Sequence, residues 1–86
     1  PQVQLPTRPV GARFIHVHRN VPGMLRRLNE VFLQRDINIA AQYLQTDSEV
    51  GYVVVDAEEP DTVGEDILDE IRALDGTIRA RLVYEN

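Results

Sequence analysis

Between residues 13 and 84 the apolar side chains keep changing their period, and that succession restricts the fold more than any other feature. From Arg13 to His18 they alternate, Ile15 and Val17 on one side and Phe14, His16 and His18 on the other, which is a strand. Asn20-Val21-Pro22-Gly23 breaks it. Val21, Leu25, Leu28 and Phe32 then recur at helical spacing, with Pro22 suited to a first turn and Asn20 to a cap. The helix is expected to end near Arg35-Asp36. Ile37–Thr46 and Val50–Ala57 read as two further strands joined by the turn Asp47-Ser48-Glu49, hence an antiparallel hairpin. Pro60-Asp61 opens a second helix with the stripe Val63, Ile67, Ile71 and Leu74. Asp61, Glu65 and Asp66 stand where the helix dipole favours acids, and Gly64 weakens the helix interior. Asp75-Gly76 closes it, and Thr77–Tyr84 alternates Ile78, Ala80, Leu82 and Tyr84 against Arg79 and Arg81 as a last strand.

The order βαββαβ is that of the α+β ferredoxin-like sandwich, a four-stranded antiparallel sheet with both helices on one face. Right-handed crossovers put the first and third strands in the centre and the second and fourth at the edges. The edges differ. The fourth carries Arg79 and Arg81, charges that guard an edge. The second, spanning 37–46, has neither charge nor proline and is a template for pairing with another chain. The expectation is a homodimer that joins two such strands across a two-fold axis; the alternative is an edge covered by a loop or by the N-terminal segment.

At 86 residues the length suits one domain. Residues 1–10 hold three of the five prolines and read as a linker from upstream domains, with the folded domain at 11–86. The absence of Cys removes disulfides and thiolate metal sites. No apolar run is long enough for a membrane span and no leader pattern is present, so a cytoplasmic location is expected. A net charge of −5, with nine arginines and no lysine, does not suit nucleic acid, whose phosphates dominate binding. RNA-recognition domains share the element order, but the central strands here lack their aromatic stacking pairs.

The polar chemistry gathers at one corner, in Phe14-Ile-His16-Val-His18-Arg-Asn20-Val-Pro22-Gly23. His16 and His18 face one way and could begin a metal site, but no third ligand is evident and His-x-His alone is a weak signal. No Ser or Cys nucleophile lies nearby, so no catalytic residue is assigned. A small zwitterion fits better. A helix N-terminus near Val21, Pro22 and Gly23 suits a carboxylate, and His18 and Asn20 offer directional donors and acceptors. Asn38 opens the uncharged edge strand, so pairing two such strands brings it near the partner's corner. The bland alternative stands beside this: Asn20 only caps, His18 only sits on a sheet face, and Asn38 only starts a strand.

The strings His16-Val-His18-Arg-Asn20-Val-Pro22-Gly23, Asn38-Ile-Ala-Ala-Gln42-Tyr-Leu-Gln-Thr46, Gly51-Tyr-Val-Val-Val-Asp56 and Gly76-Thr-Ile-Arg-Ala-Arg81-Leu resemble the C-terminal ACT domains of bacterial D-3-phosphoglycerate dehydrogenases. The resemblance covers nearly the whole chain. It implies an allosteric domain that binds L-serine between two ACT domains sharing one sheet, for feedback inhibition of serine biosynthesis. Position by position it implies His18 and Asn20 on the carboxylate and hydroxyl end, the backbone of 21–23 beside them, and the partner's Asn38 on the amino end. It also implies a tetrameric parent oxidoreductase whose NAD and phosphorylated substrate belong to upstream domains, with no cofactor here. Arg19 departs from the pattern, replacing an acid between two binding residues, and should face away from both. An assembly domain without serine response, or one sensing another amino acid, is the alternative.

Overall fold

The computed structural model describes residues 11–58 and 64–84. Its elements are β1 (Ala12–Arg19), α1 (Met24–Leu33), β2 (Ile39–Thr46), β3 (Val50–Ala57), α2 (Gly64–Arg72) and β4 (Thr77–Tyr84). The sheet order is β2-β3-β1-β4, every neighbouring pair antiparallel. The ferredoxin-like reading and the assignment of centre and edge strands both hold. The expected linker at 1–10 and the opening of the second helix at Pro60, Asp61 and Val63 lie outside the described residues.

The core forms where the strand alternation meets the helix stripes. Ala12, Phe14, Val53, Val55, Ala57 and Ala80 of the sheet are buried with Leu28, Val31 and Phe32 of α1 and Ile67, Leu68 and Ile71 of α2. Phe14 meets Phe32 edge to face, with ring centroids 5.1 Å apart, a favoured aromatic geometry. On the opposite sheet face Arg13 lies directly across from Asp56. It grips the carboxylate through Nε at 2.7 Å and Nη2 at 3.0 Å, and Asp56 is 1% exposed. That bidentate hydrogen bond raises the already high proton affinity of Arg13.

Several local expectations need correction. Asn20 does not cap α1. The cap position is Gly23, left-handed at φ 85°, and no side chain caps the helix there. Pro22 therefore precedes the helix instead of opening it. Val21 is likewise outside α1 and 41% exposed, and Met24 takes its place on the buried stripe. Ile78 is 53% exposed because the β1–β4 register shifts between Val17 and His18, which breaks the β4 alternation at its start.

A left-handed residue follows each helix. α2 ends at Arg72, and Gly76, at φ 98°, stands four residues on, in the turn into β4 and not at the cap expected of it. After α1 the residue is Asp36, at φ 56°. The Ile37 N–H reaches back to the Phe32 carbonyl and the Asp36 N–H to the Leu33 carbonyl, the bonding pattern of a Schellman closure.

Candidate functional site

The corner at the end of β1 is tied down from both sides by backbone. The Arg19 N–H donates to the Gly76 carbonyl at 2.9 Å, and the Asn20 N–H donates to the Glu49 carbonyl at 2.9 Å. The Asn20 side chain adds a second tie, Nδ2 donating to the Asp47 carbonyl at 2.6 Å. The hairpin turn it grips is itself ordered by Asp47, whose Oδ1 accepts from the N–H groups of Glu49 and Val50, each at 2.8 Å. Those two bonds lower the Asp47 proton affinity, the Glu49 bond first. The sequence marked 47–49 as turn material but gave no sign that Asn20 would reach it.

The two histidines are buried on the helix-facing side, with ring centroids 5.1 Å apart. His16 Nε2 lies 2.8 Å from Thr77 Oγ1, and that hydroxyl donates onward to the Ile71 carbonyl at 2.9 Å. The hydroxyl proton is thus spent on Ile71, so His16 Nε2 carries the proton that Thr77 accepts. Burial first, and the neighbouring His18 second, push the His16 proton affinity down to about 4. His16 is therefore a neutral strut between β1 and the start of β4.

His18 Nδ1 lies 2.8 Å from the Arg19 carbonyl, which can only accept, so Nδ1 carries the proton. His18 Nε2 is then a lone-pair acceptor, and it is buried with no partner, as is His16 Nδ1. Among the described residues no group of three His, Cys, Asp or Glu gathers that could hold a metal.

His18 stands across from Gly51 of β3, and Gly51 across from Thr46 of β2. The imidazole lies over Gly51, its Cε1 and Nε2 at 2.4 and 2.7 Å from where a Cβ would be. The sequence held a signal for this: a lone glycine beside the β-rich run Tyr52–Val55 marks a close approach.

The structure brings His18, Asn20 and the 21–23 turn to this corner, and it sets Asn38 elsewhere. Asn38 immediately precedes β2, and its carbonyl accepts from the Glu58 N–H at 3.0 Å. Its side lines a groove between α1 and β2 with Arg26, Asn29, Leu33 and Ile37. Since β2 runs parallel to β1 through their shared antiparallel neighbour, Asn38 lies at the far end from His18, roughly 26 Å along the strand. Arg19 lines a cleft with Arg27, Asp75 and Thr77.

A family model described as the AHAS small subunit-like ACT domain matches residues 14–79. The D-3-phosphoglycerate dehydrogenase of Haemophilus influenzae is 49% identical over 84 residues, and that of Escherichia coli K12 is 50% identical over the same length. Each match covers 98% of this chain and 20% of the relative, so the chain spans about a fifth of those proteins. The crystal structure of the ACT domain from the GTP pyrophosphokinase of Chlorobium tepidum superposes with a TM-score of 0.72. It covers 87% of this chain and 99% of that one at 17% identity, a likeness of fold alone.

Proposed function

The chain belongs to the ACT-domain family, and from that premise we propose that it is the regulatory domain of a D-3-phosphoglycerate dehydrogenase, binding L-serine between two copies and thereby inhibiting the enzyme. The observation that carries this reading is the division of the candidate site. His18 and Asn20 stand at one end of the β2 edge and Asn38 at the other. One chain alone cannot close these groups around a small ligand. Two β2 strands paired antiparallel about Gln42 would place each Asn38 opposite the partner's Thr46, in the row that leads to His18. The β2 strand is an edge and carries no charge along 39–46, which suits such pairing.

In this reading Asn20 and His18 hold the carboxylate and hydroxyl end. The Gly23 end of α1, which no side chain caps, receives the carboxylate beside them. The partner's Asn38 takes the ammonium. The ligand then bridges two chains, so serine favours the assembly in which those chains are close. A coupling of about 1–3 kcal/mol between that assembly and a distant catalytic site is enough for feedback control. The NAD and phosphorylated substrate of the parent enzyme bind other domains.

Calorimetric titration of L-serine, with D-serine as control and the dimer verified in the same sample, tests the reading. Saturable binding of L-serine that disappears in both Asn20→Ala and Asn38→Ala is expected. A verified dimer that gives no heat with L-serine rejects it and leaves an assembly domain, or a sensor of a different amino acid.

A further inference from the structure

We propose that Gly51 is the positioning residue of the ligand site, holding open the space in which the His18 imidazole presents Nε2 as a hydrogen-bond acceptor, so that the site selects an amino acid whose side chain carries a donor. The proposal rests on the amino-acid-binding reading above and names the atom that would give it specificity.

Three observations converge on this residue. First, the imidazole occupies the volume that a side chain at position 51 would fill, at 2.4 Å from Cε1 and 2.7 Å from Nε2. A methyl group there meets a ring, not the far end of a flexible chain, so the ring must swing out. Second, the backbone does not require glycine. The positive-φ glycines are Gly11, Gly23 and Gly76, and Gly51 is not one of them. The constraint is the approach of His18 alone. Third, the ring's state is fixed by its neighbour. Nδ1–H donates to the Arg19 carbonyl, which leaves Nε2 as a lone pair, buried and without a partner. An unpartnered buried acceptor is costly, and a ligand that donates to it recovers that cost.

The direction of the lone pair decides what can bind. The row His18–Gly51–Thr46 runs from β1 across β3 to the free β2 edge. Because the middle member has no side chain, the Nδ1–Cε1–Nε2 edge of the ring turns toward that β2 edge, where a second chain would arrive. A carboxylate oxygen cannot satisfy a lone pair; a hydroxyl or an ammonium can, and in the reading above the ammonium goes to the partner's Asn38. His18 therefore reads the side-chain hydroxyl, and the carboxylate falls to Asn20 and the start of α1. In the single chain Nε2 is shielded, so engaging it takes a small displacement of the ring or its neighbours.

The test uses the intact protein that carries this domain. L-serine and L-alanine, which differ by that one hydroxyl, are titrated into the unsubstituted protein, Gly51→Ala and the double variant Gly51→Ala/His18→Ala, with His18→Ala completing the cycle. Expected are L-alanine binding about tenfold or more weaker than L-serine, and a loss of similar size for L-serine in Gly51→Ala. That loss should vanish when His18 is already Ala, because Gly51 acts through the ring. In parallel, the imidazole nitrogen shifts by NMR should report the Nδ1–H form of His18 and move when L-serine is added. L-serine binding undiminished in Gly51→Ala, equal affinity for L-alanine, or an Nε2–H ring overturns the proposal while leaving the serine reading intact. Binding of neither amino acid by the unsubstituted dimer overturns both. If Gly51→Ala does not fold, the L-alanine comparison and the ring assignment on the unsubstituted protein still decide.

Discussion

His16 spends its one ring proton on Thr77 and is 1% exposed, so the fold holds it neutral. Its proton affinity sits near 4 in the folded chain, against 6.5 for the free group. The unfolded chain therefore takes up the proton first as the pH falls. The contribution of neutral His16 is complete above about 6.5 and drains away as the pH drops toward 4. The amount is on the order of 3 kcal/mol. Urea midpoints measured between pH 7 and 4 should fall more steeply for the unsubstituted protein than for His16→Gln; parallel curves would remove His16 from the account. Asp36 tells the opposite story. It holds a left-handed conformation that glycine adopts freely, at φ 56°. Asp36→Gly should raise stability by about 0.5–1 kcal/mol and increase Tm, while a lower Tm would mean that the carboxylate does something beyond filling the turn.

Among the elements, β1 and β3 are joined by more than their ladder. The Arg13–Asp56 pair spans them on the face away from the helices, and both side chains are largely buried. Asp56→Ala would strand the guanidinium and is expected to cost about 3 kcal/mol, read from chemical denaturation. A loss below about 1 kcal/mol would class the pair with ordinary surface bridges. The β2 edge makes a different demand. It is uncharged along its whole length, so Ala41→Lys should abolish self-association in sedimentation while leaving the folded chain's circular dichroism unchanged. A dimer that survives this change is not built on β2. Element order and sheet order were legible in the sequence because period and turn chemistry agree at every boundary. What was not legible depended on distance. Asn20 reads locally as a cap, and its grip on Asp47 crosses 27 positions. Likewise the start of α1 shifts to Met24 because Gly23 takes the left-handed cap, which the apolar stripe from Val21 cannot announce.

At the scale of the molecule, strand order and the uncharged edge already assigned the partner's Asn38 to the corner of His18 and Asn20. Parallel β1 and β2 send His18 and Asn38 of one chain to opposite ends of the sheet. The register of the folded sheet adds the extent of that division. It has a thermodynamic corollary: ligand affinity and self-association are linked, so apparent serine affinity should rise with protein concentration until the dimer is saturated. An affinity independent of protein concentration across the dimer's dissociation range would place the whole site in one chain.

The same division has a genetic reading. On the proposed assembly a chain lacking Asn20 and a chain lacking Asn38 are each insensitive alone, since every site in either homodimer is short of one group. Mixed together they are not equivalent to either. In the hybrid, one site gathers both losses and the other gathers none, so one complete site returns. Two defects in a single gene would then complement each other, restoring part of the feedback in a cell that carries both alleles.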